Sequence, residues 1–415
     1  MIVISHTPFI GYGPLNTRPA ESVTYSCLWP PEGRSQDYTL TIQSQQHVSI
    51  RKEEFTIGVE EEYQIVHPET RALRSRAQAI LPKAKAAIGD QVTPEMYLSQ
   101  IEIGTSVCST LVEVRSQLRH LRREVIAAAK RENSLIAAAG THPFSHWEDQ
   151  RLTPKKRYAE LASDFQQLTR EQLIFGCHVH VGIPNREIAI QVMNRSRAWL
   201  APLLALACNS PFWLGTETGY ASFRTEIWGR WPTAGIPQVF SARSEYDQLV
   251  DDLTAVGTIA DASKLYWDVR PSMHYETLEF RIADVCLTVD EAVMVAGLAR
   301  ALARTCALET ENAVEITHIR PEVLQAAQWQ AARFGLDGQL IDPQEKQAVA
   351  APEMIEKLLT YVRSALDEYG EWKEISALVR QVLAKGTGAA RQRAAYAQSG
   401  TLEGVVDFVV AETAK

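Results

Sequence analysis

The chain has 415 residues, 46% of them hydrophobic and 22% charged, enough to bury a large core as one domain or two. A formal net charge of −8 argues against a phosphate-covering basic surface, so nucleic acid is not expected as a partner. Six cysteines without a CxxC pair fit a reduced, cytoplasmic protein, and no apolar run is long enough to span a bilayer.

Residues 1–52 are rich in Pro, Gly, Ser, Thr and Gln and read as an N-terminal extension that need not be ordered. They lack the basic start and long apolar run of a secretory signal. The folded part is expected over 53–415. Its first element is a strand within 55–66, where Phe55, Ile57, Val59, Tyr63 and Ile65 alternate with Thr56, Gly58, Glu60, Glu62 and Gln64. Glu60 and Glu62 then share the polar face, about 7 Å apart along one rigid element. Glu61 points the other way, among apolar neighbours.

A short helix is expected over 78–88, stopped by Gly89, and a second alternating strand over 97–104 with Glu102 on its polar side. Thr110 and Glu113 have capping-box spacing, and apolar residues step by three and four from Leu111 to Leu135 with Gly140 as the C-cap. Arg119, Arg122, Arg123 and Lys130 on that helix read as its solvated face. The run 174–181 alternates with Cys177, Val179 and Val181 on one side and His178 and His180 on the other. A long apolar helix follows over 187–209, then an aromatic, loop-rich passage over 211–237 carrying Arg224 and Arg230, suited to wall a pocket. Two strands around Ser272–His274 come next, with Glu279 and Arg281 on the face opposite Leu278, Phe280 and Ile282. The remainder is mostly helical, with a long helix over 287–311.

No Walker loop or GxGxxG turn occurs. Strands of this design predict an α+β fold, a curved antiparallel sheet with helices on its apolar face and a charged working face opposite. That face collects Glu60, Glu62, Glu102, His178, His180, Glu279 and Arg281. Several carboxylates with an imidazole suit Mg²⁺ or Mn²⁺, whereas a zinc site calls for thiolates or a compact HExxH helix. The His178–His180 pair alone leaves ligation open, since one histidine of such a pair is often an ordinary strand residue. Arg281 adds a fixed cation of the kind phosphoryl transfer requires.

Gly58-Val59-Glu60-Glu61-Glu62, the run Glu102 to Cys108, Gly140-Thr141-His142-Pro143-Phe144, the run Phe175 to Gly182, and Trp267 to Ser272 leading to Glu279-Phe280-Arg281 together resemble the glutamate–cysteine ligase type 2 family. Its members are described as weak carboxylate–amine ligases on the glutamine-synthetase fold. The resemblance runs from about residue 53 to 415 in consistent order. Cys286 stands where many members have Pro, a departure that removes no ligand. The resemblance implies ATP-dependent ligation through an acyl phosphate, with the γ-carboxylate of glutamate as acid and cysteine or another small amine as acceptor. It further implies that Glu60, Glu62, Glu102, His178 and Glu279 hold divalent metal, and that His180 and Arg281 contact phosphate. Arg224 and Arg270 become candidates for the amino-acid carboxylate or the transferring phosphoryl group, although an ion pair of Arg270 with Asp268 or Glu279 is the plainer alternative. Two other readings keep the same face: a phosphotransferase, or a non-catalytic metal- and nucleotide-binding protein. Relatives suggest a homodimer.

Overall fold

A computed structural model describes residues 50–415, which form one compact unit. Residues 1–49 of the expected extension lie outside the described residues. The framework is a seven-stranded sheet. Its strands are β1 (Ile57–Val66), β2 (Val92–Pro94), β3 (Gln100–Gly104), β4 (Leu135–Ala137), β5 (Gly176–Gly182), β6 (Val269–Pro271) and β7 (Thr277–Asp284). The spatial order is β2-β3-β1-β5-β7-β6, every pairing is antiparallel, and β4 also pairs with β1. Gln64 pairs with Gln100 on one flank and Ala137 on the other, so β4 lies on the flank of β1 opposite β3.

Helices around the sheet include α1 (Ala77–Ile88), α2 (Leu111–Arg131), α3 (Arg186–Ser196), α4 (Leu200–Ala207), α5 (Phe223–Trp228) and α6 (Val289–Glu311). Helix α2 starts as its sequence predicts: Thr110 Oγ1 accepts from Glu113 N at 3.2 Å, and Glu113 accepts from Thr110 N at 3.2 Å. Leu111, Val114, Leu118, Leu121 and Val125 are buried along one stripe, and α2 packs on α6 and β1. α6 and α4 in turn cover β5 and β7, where Cys177, Val179, Val181, Leu278 and Phe280 are buried.

Three sequence expectations need correction. Helix α2 ends at Arg131, not near Gly140, because Asn133 turns to a φ of 48° and Ser134 N closes back on Ala129 O at 3.0 Å. That stop frees Leu135–Ala137 to pair with β1. The long helix expected over 187–209 is broken into α3 and α4 by a 3-10 turn at Arg197–Trp199. Arg122, expected in solvent, is 3% exposed and ion-paired with fully buried Glu61. Among the described residues, no helix is long and apolar enough to cross a membrane.

Candidate active site

Antiparallel register assembles the polar face. Glu60 stands opposite His178 of β5, Glu62 opposite Glu102 of β3, and His180 opposite Glu279 of β7. Arg270 of β6 is the partner of Glu279 on the next flank. Between β5 and β7 the register passes from Val179↔Phe280 to Cys177↔Ala283, so Arg281 and Ile282 both lie opposite His178. This bulge re-aims the end of β7 beside the site.

Two groups of candidate ligands result, and they share Glu60. Donor atoms of Glu60, Glu102 and His178 lie within 4.8 Å of one another, as do those of Glu60, His180 and Glu279. His178 Nδ1 is 3.5 Å from Glu60 Oε2 and 4.0 Å from Glu279 Oε1, and His180 Nε2 is 3.5 Å from Glu60 Oε1. The sets are oxygen-rich with one imidazole each and contain no thiolate, the donor chemistry that hard divalent cations accept. Glu62 belongs to neither group; its Oε2 accepts from Gly176 N at 2.6 Å.

The surroundings set these groups apart electrically. Burial alone would raise Glu60, but hydrogen bonds and charge from His178 and His180 outweigh it and hold its carboxyl well below the usual range. Burial, then repulsion from Glu60, Glu95 and Glu62, pushes Glu102 well up. Burial and the neighbouring Glu95 carry Glu62 up to about 7, against Arg224, the Gly176 N–H and Arg281. Burial and then Arg281 lower His178 to about 4, leaving a neutral imidazole free to ligate.

Three arginines border the carboxylates. Arg281 Nη1 bonds Glu279 Oε1, and its guanidinium lies 5.3 Å from the Trp228 ring centroid. Arg270 Nε reaches Glu279 Oε2 at 2.9 Å, while its Nη1 bonds the carbonyls of Ser263, at 2.9 Å, and Leu265. The ion pair weighed from sequence is therefore present, with Glu279 as partner. Arg224, at the start of α5, is buried; its Nη2 donates to Arg281 O at 3.2 Å, and its Nη1 is 4.0 Å from Asp284 Oδ1. Arg230 stands apart, paired with Glu171.

Sequence reasoning missed several groups. Thr93 Oγ1 donates to Glu102 Oε2 at 2.9 Å, and Glu95 follows β2 in irregular backbone that offers no periodicity to read. Asp284 accepts from Asn209 N at 2.7 Å, Ser210 Oγ at 2.7 Å and Ser222 Oγ at 2.8 Å, tying the start of α5, which carries Arg224, to the end of β7. Gly176 has a direct reason to lack a side chain: a Cβ there would fall 2.5 Å from Arg224 Nη2 and 2.9 Å from His178 Nε2.

An antiparallel sheet with helices on one face and carboxylates, imidazoles and guanidinium groups on the other is an architecture that this chain shares with solved ligases. Solved structures agree on the fold. Glutamate–cysteine ligase of Francisella tularensis, crystallised with AMP, superposes with a TM-score of 0.65 at 12% identity, over 86% of this chain and 88% of that one. A bifunctional glutathione synthetase from Pasteurella multocida gives 0.62 at 17% identity, over 88% of this chain and 52% of that one. The chain belongs to glutamate–cysteine ligase family 2, whose family model matches residues 56–410, and is an enzyme of the ligase class. Proteins named "Putative glutamate–cysteine ligase 2" are 44% identical in Rhodopirellula baltica, over 86% of this chain and 96% of that one, and 39% identical in Solibacter usitatus, over 86% and 93%.

Proposed function

We propose that the protein is an ATP-dependent carboxylate–amine ligase that joins the γ-carboxylate of glutamate to cysteine or another small amine. The observation that carries this reading is the pair of donor groups sharing Glu60, flanked by Arg224, Arg270 and Arg281. Glu60, Glu102 and His178 would hold one Mg²⁺ or Mn²⁺, and Glu60, His180 and Glu279 a second. Such cations, when bound, neutralise phosphate oxygens during transfer.

The chain's own residues then divide the remaining work. Glu62, held by the Gly176 N–H and opposite Glu102 in register, would keep a further carboxyl beside the first ligand group. Arg270 spends its donors on Glu279 and two backbone carbonyls, so its part is to fix that ligand. Arg281 and Arg224 each have a buried Nε without a partner among the described residues, and face the negative charge that builds on the phosphoryl group and the acid. The substrate carboxylate attacks the γ-phosphorus of ATP and releases ADP. The amine then adds to the acyl carbon, loses a proton and expels phosphate, leaving the amide.

Glutamate and ATP with a panel of amines test this reading, with ADP and amide measured together. Equal amounts of both, formed only when an amine is present, are expected. A phosphorylated acid accumulating as the final product points instead to a phosphotransferase, and absence of turnover with every amine overturns the ligase reading.

A further inference from the structure

We propose that a cavity at the Arg197 guanidinium, which shares no wall residue with the carboxylate–imidazole face, binds a small carboxylate anion. Arg197 opens the 3-10 turn that joins α3 to α4 and is only 5% exposed. Among the described residues its side chain makes no ion pair within 4.0 Å, and its Nε is buried without a hydrogen-bond partner. Burial draws its pKa below the usual arginine range. A buried cation without a counter-charge is costly, and a fold that keeps one has a partner for it to meet.

The space in front of Arg197 is a cavity of about 110 Å³. Arg195, Trp199, Glu309, Thr317, Leu324 and Tyr361 contribute to its wall. The rings of Trp199 and Tyr361 stack with centroids 4.5 Å apart and planes at 19°, which makes one side flat and apolar. Residues 314–317 and 319 line it after a left-handed turn at Ala313, φ 52°, where Val314 N donates to Glu309 O at 2.9 Å. Arg195 is already occupied, by Thr310 Oγ1 at 3.1 Å, Glu309 Oε2 at 3.4 Å and the Val314 carbonyl. Glu309 is committed to Arg195, and Glu315 is an exposed carboxylate at the rim.

These features choose among anions. The cavity has one uncommitted cation, two carboxylates on its wall and a mixed lining whose apolar part includes Trp199, Leu324 and Tyr361. A planar monoanion takes both prongs of a guanidinium and can lay a short apolar tail on the aromatic side. Doubly charged phosphate meets one uncommitted guanidinium and the opposing Glu315 carboxylate, too little positive charge to match it. The volume admits only a few heavy atoms, so acetate and propionate are the natural probes.

Thermal unfolding of the full chain in acetate, propionate or inorganic phosphate, against sodium chloride at constant ionic strength, tests the proposal. The carboxylates are expected to raise the melting temperature by about 1–3 °C near saturation, with phosphate no better than chloride. Arg197→Met is expected to abolish that rise and, in chloride, to be at least as stable as the parent because it removes an unpaired buried charge. Arg197→Lys, which keeps the charge and loses the fork, is expected to need about tenfold more carboxylate. A rise that persists in Arg197→Met, a response to phosphate alone, or no carboxylate response in the parent overturns the proposal. So does an Arg197→Met chain that is markedly less stable in chloride, since Arg197 then has a partner within the chain. If Arg197→Met does not fold, an unchanged carboxylate requirement in Arg197→Lys is sufficient to overturn it.

Discussion

Glu60 and Glu61 are consecutive on β1, yet the two sides of the sheet treat their charges differently. On the helix side, Arg122 reaches from α2 to Glu61 through Nε, at 3.0 Å, and Nη2, while Tyr63 donates to the same carboxylate. The remaining guanidinium donors bond the Leu287 and Cys286 carbonyls, at 3.1 Å and 2.9 Å, so each charge is matched inside the fold. On the polar side, Glu60 leans on two histidines, and among the described residues Glu102 has only Thr93 for a hydrogen-bond donor. Burial and then neighbouring carboxylates push Glu62 and Glu102 up, Glu95 acting on Glu62, and Glu60, Glu95 and Glu62 on Glu102. One side is a closed structural pair. On the other, Arg270 and Arg281 meet Glu279, but among the described residues Glu60 and Glu102 have no arginine or lysine partner, the balance that the proposed cations would supply.

The comparison is broken most sharply by deleting the carboxylate common to both candidate ligand groups. Glu60→Ala is expected to lower ligase turnover by about 10³-fold or more, because both candidate ligand groups lose a donor. It is expected to unfold at nearly the parent temperature in metal-free buffer and to lose the stabilisation that Mn²⁺ or Mg²⁺ gives the parent. Parent-like turnover removes Glu60 from the site. The mirror experiment is Arg122→Met, which strands Glu61 in the core. Denaturant unfolding should show a loss of about 3–5 kcal/mol, and adding Glu61→Leu should recover most of it. A single variant as stable as the parent means that Glu61 finds water or another donor.

Much of the polar face is legible from alternation alone. A period of two is geometry, so it places Glu60, Glu62, Glu102, His178, His180, Glu279 and Arg281 on one side before any partner is known. What it does not carry is depth or distance along that side. Glu62 shares a face with Glu60 yet stands outside both ligand groups. Arg122 misleads for a different reason: arginine has a strong surface prior, but the residue sits four after Leu118 and three before Val125, inside the buried stripe of α2. Asp284 and Glu95 escape because a bulge intervenes before the one and the other lies off any regular element. Gly176 is legible only once Arg224 and His178 are seen beside it.

That crowding supplies a milder test. Gly176→Ala puts a methyl group where Arg224 Nη2 and His178 Nε2 already sit, so the arginine and the imidazole must part. Turnover is expected to fall about 10–100-fold through misplacement of the site, with a stability cost of about 1–2 kcal/mol. A parent-like rate in Gly176→Ala means that Arg224 need not approach β5 for the reaction.

The smallest effect concerns the sign of a pH dependence. Glu62 titrates at about 7 in the folded chain against an ordinary value of 4.5, because burial and Glu95 oppose its ionisation. Between those limits the folded protein keeps a proton that the unfolded chain has released. Stability linked to Glu62 is therefore fully present below about pH 4.5 and declines as pH rises towards 7. Glu62 is only partly shielded from solvent, which screens the effect to about 1–2 kcal/mol. Glu62→Gln removes the titrating group without changing its shape, so denaturant midpoints in chelator should fall less steeply over pH 4.5–7 than those of the parent. Saturating Mg²⁺ should flatten the parent curve in the same direction, since a nearby cation supplies the charge the carboxylates lack. Parallel curves for parent and Glu62→Gln would place the strain on Glu102 or Glu95 and leave Glu62 a spectator on the polar face.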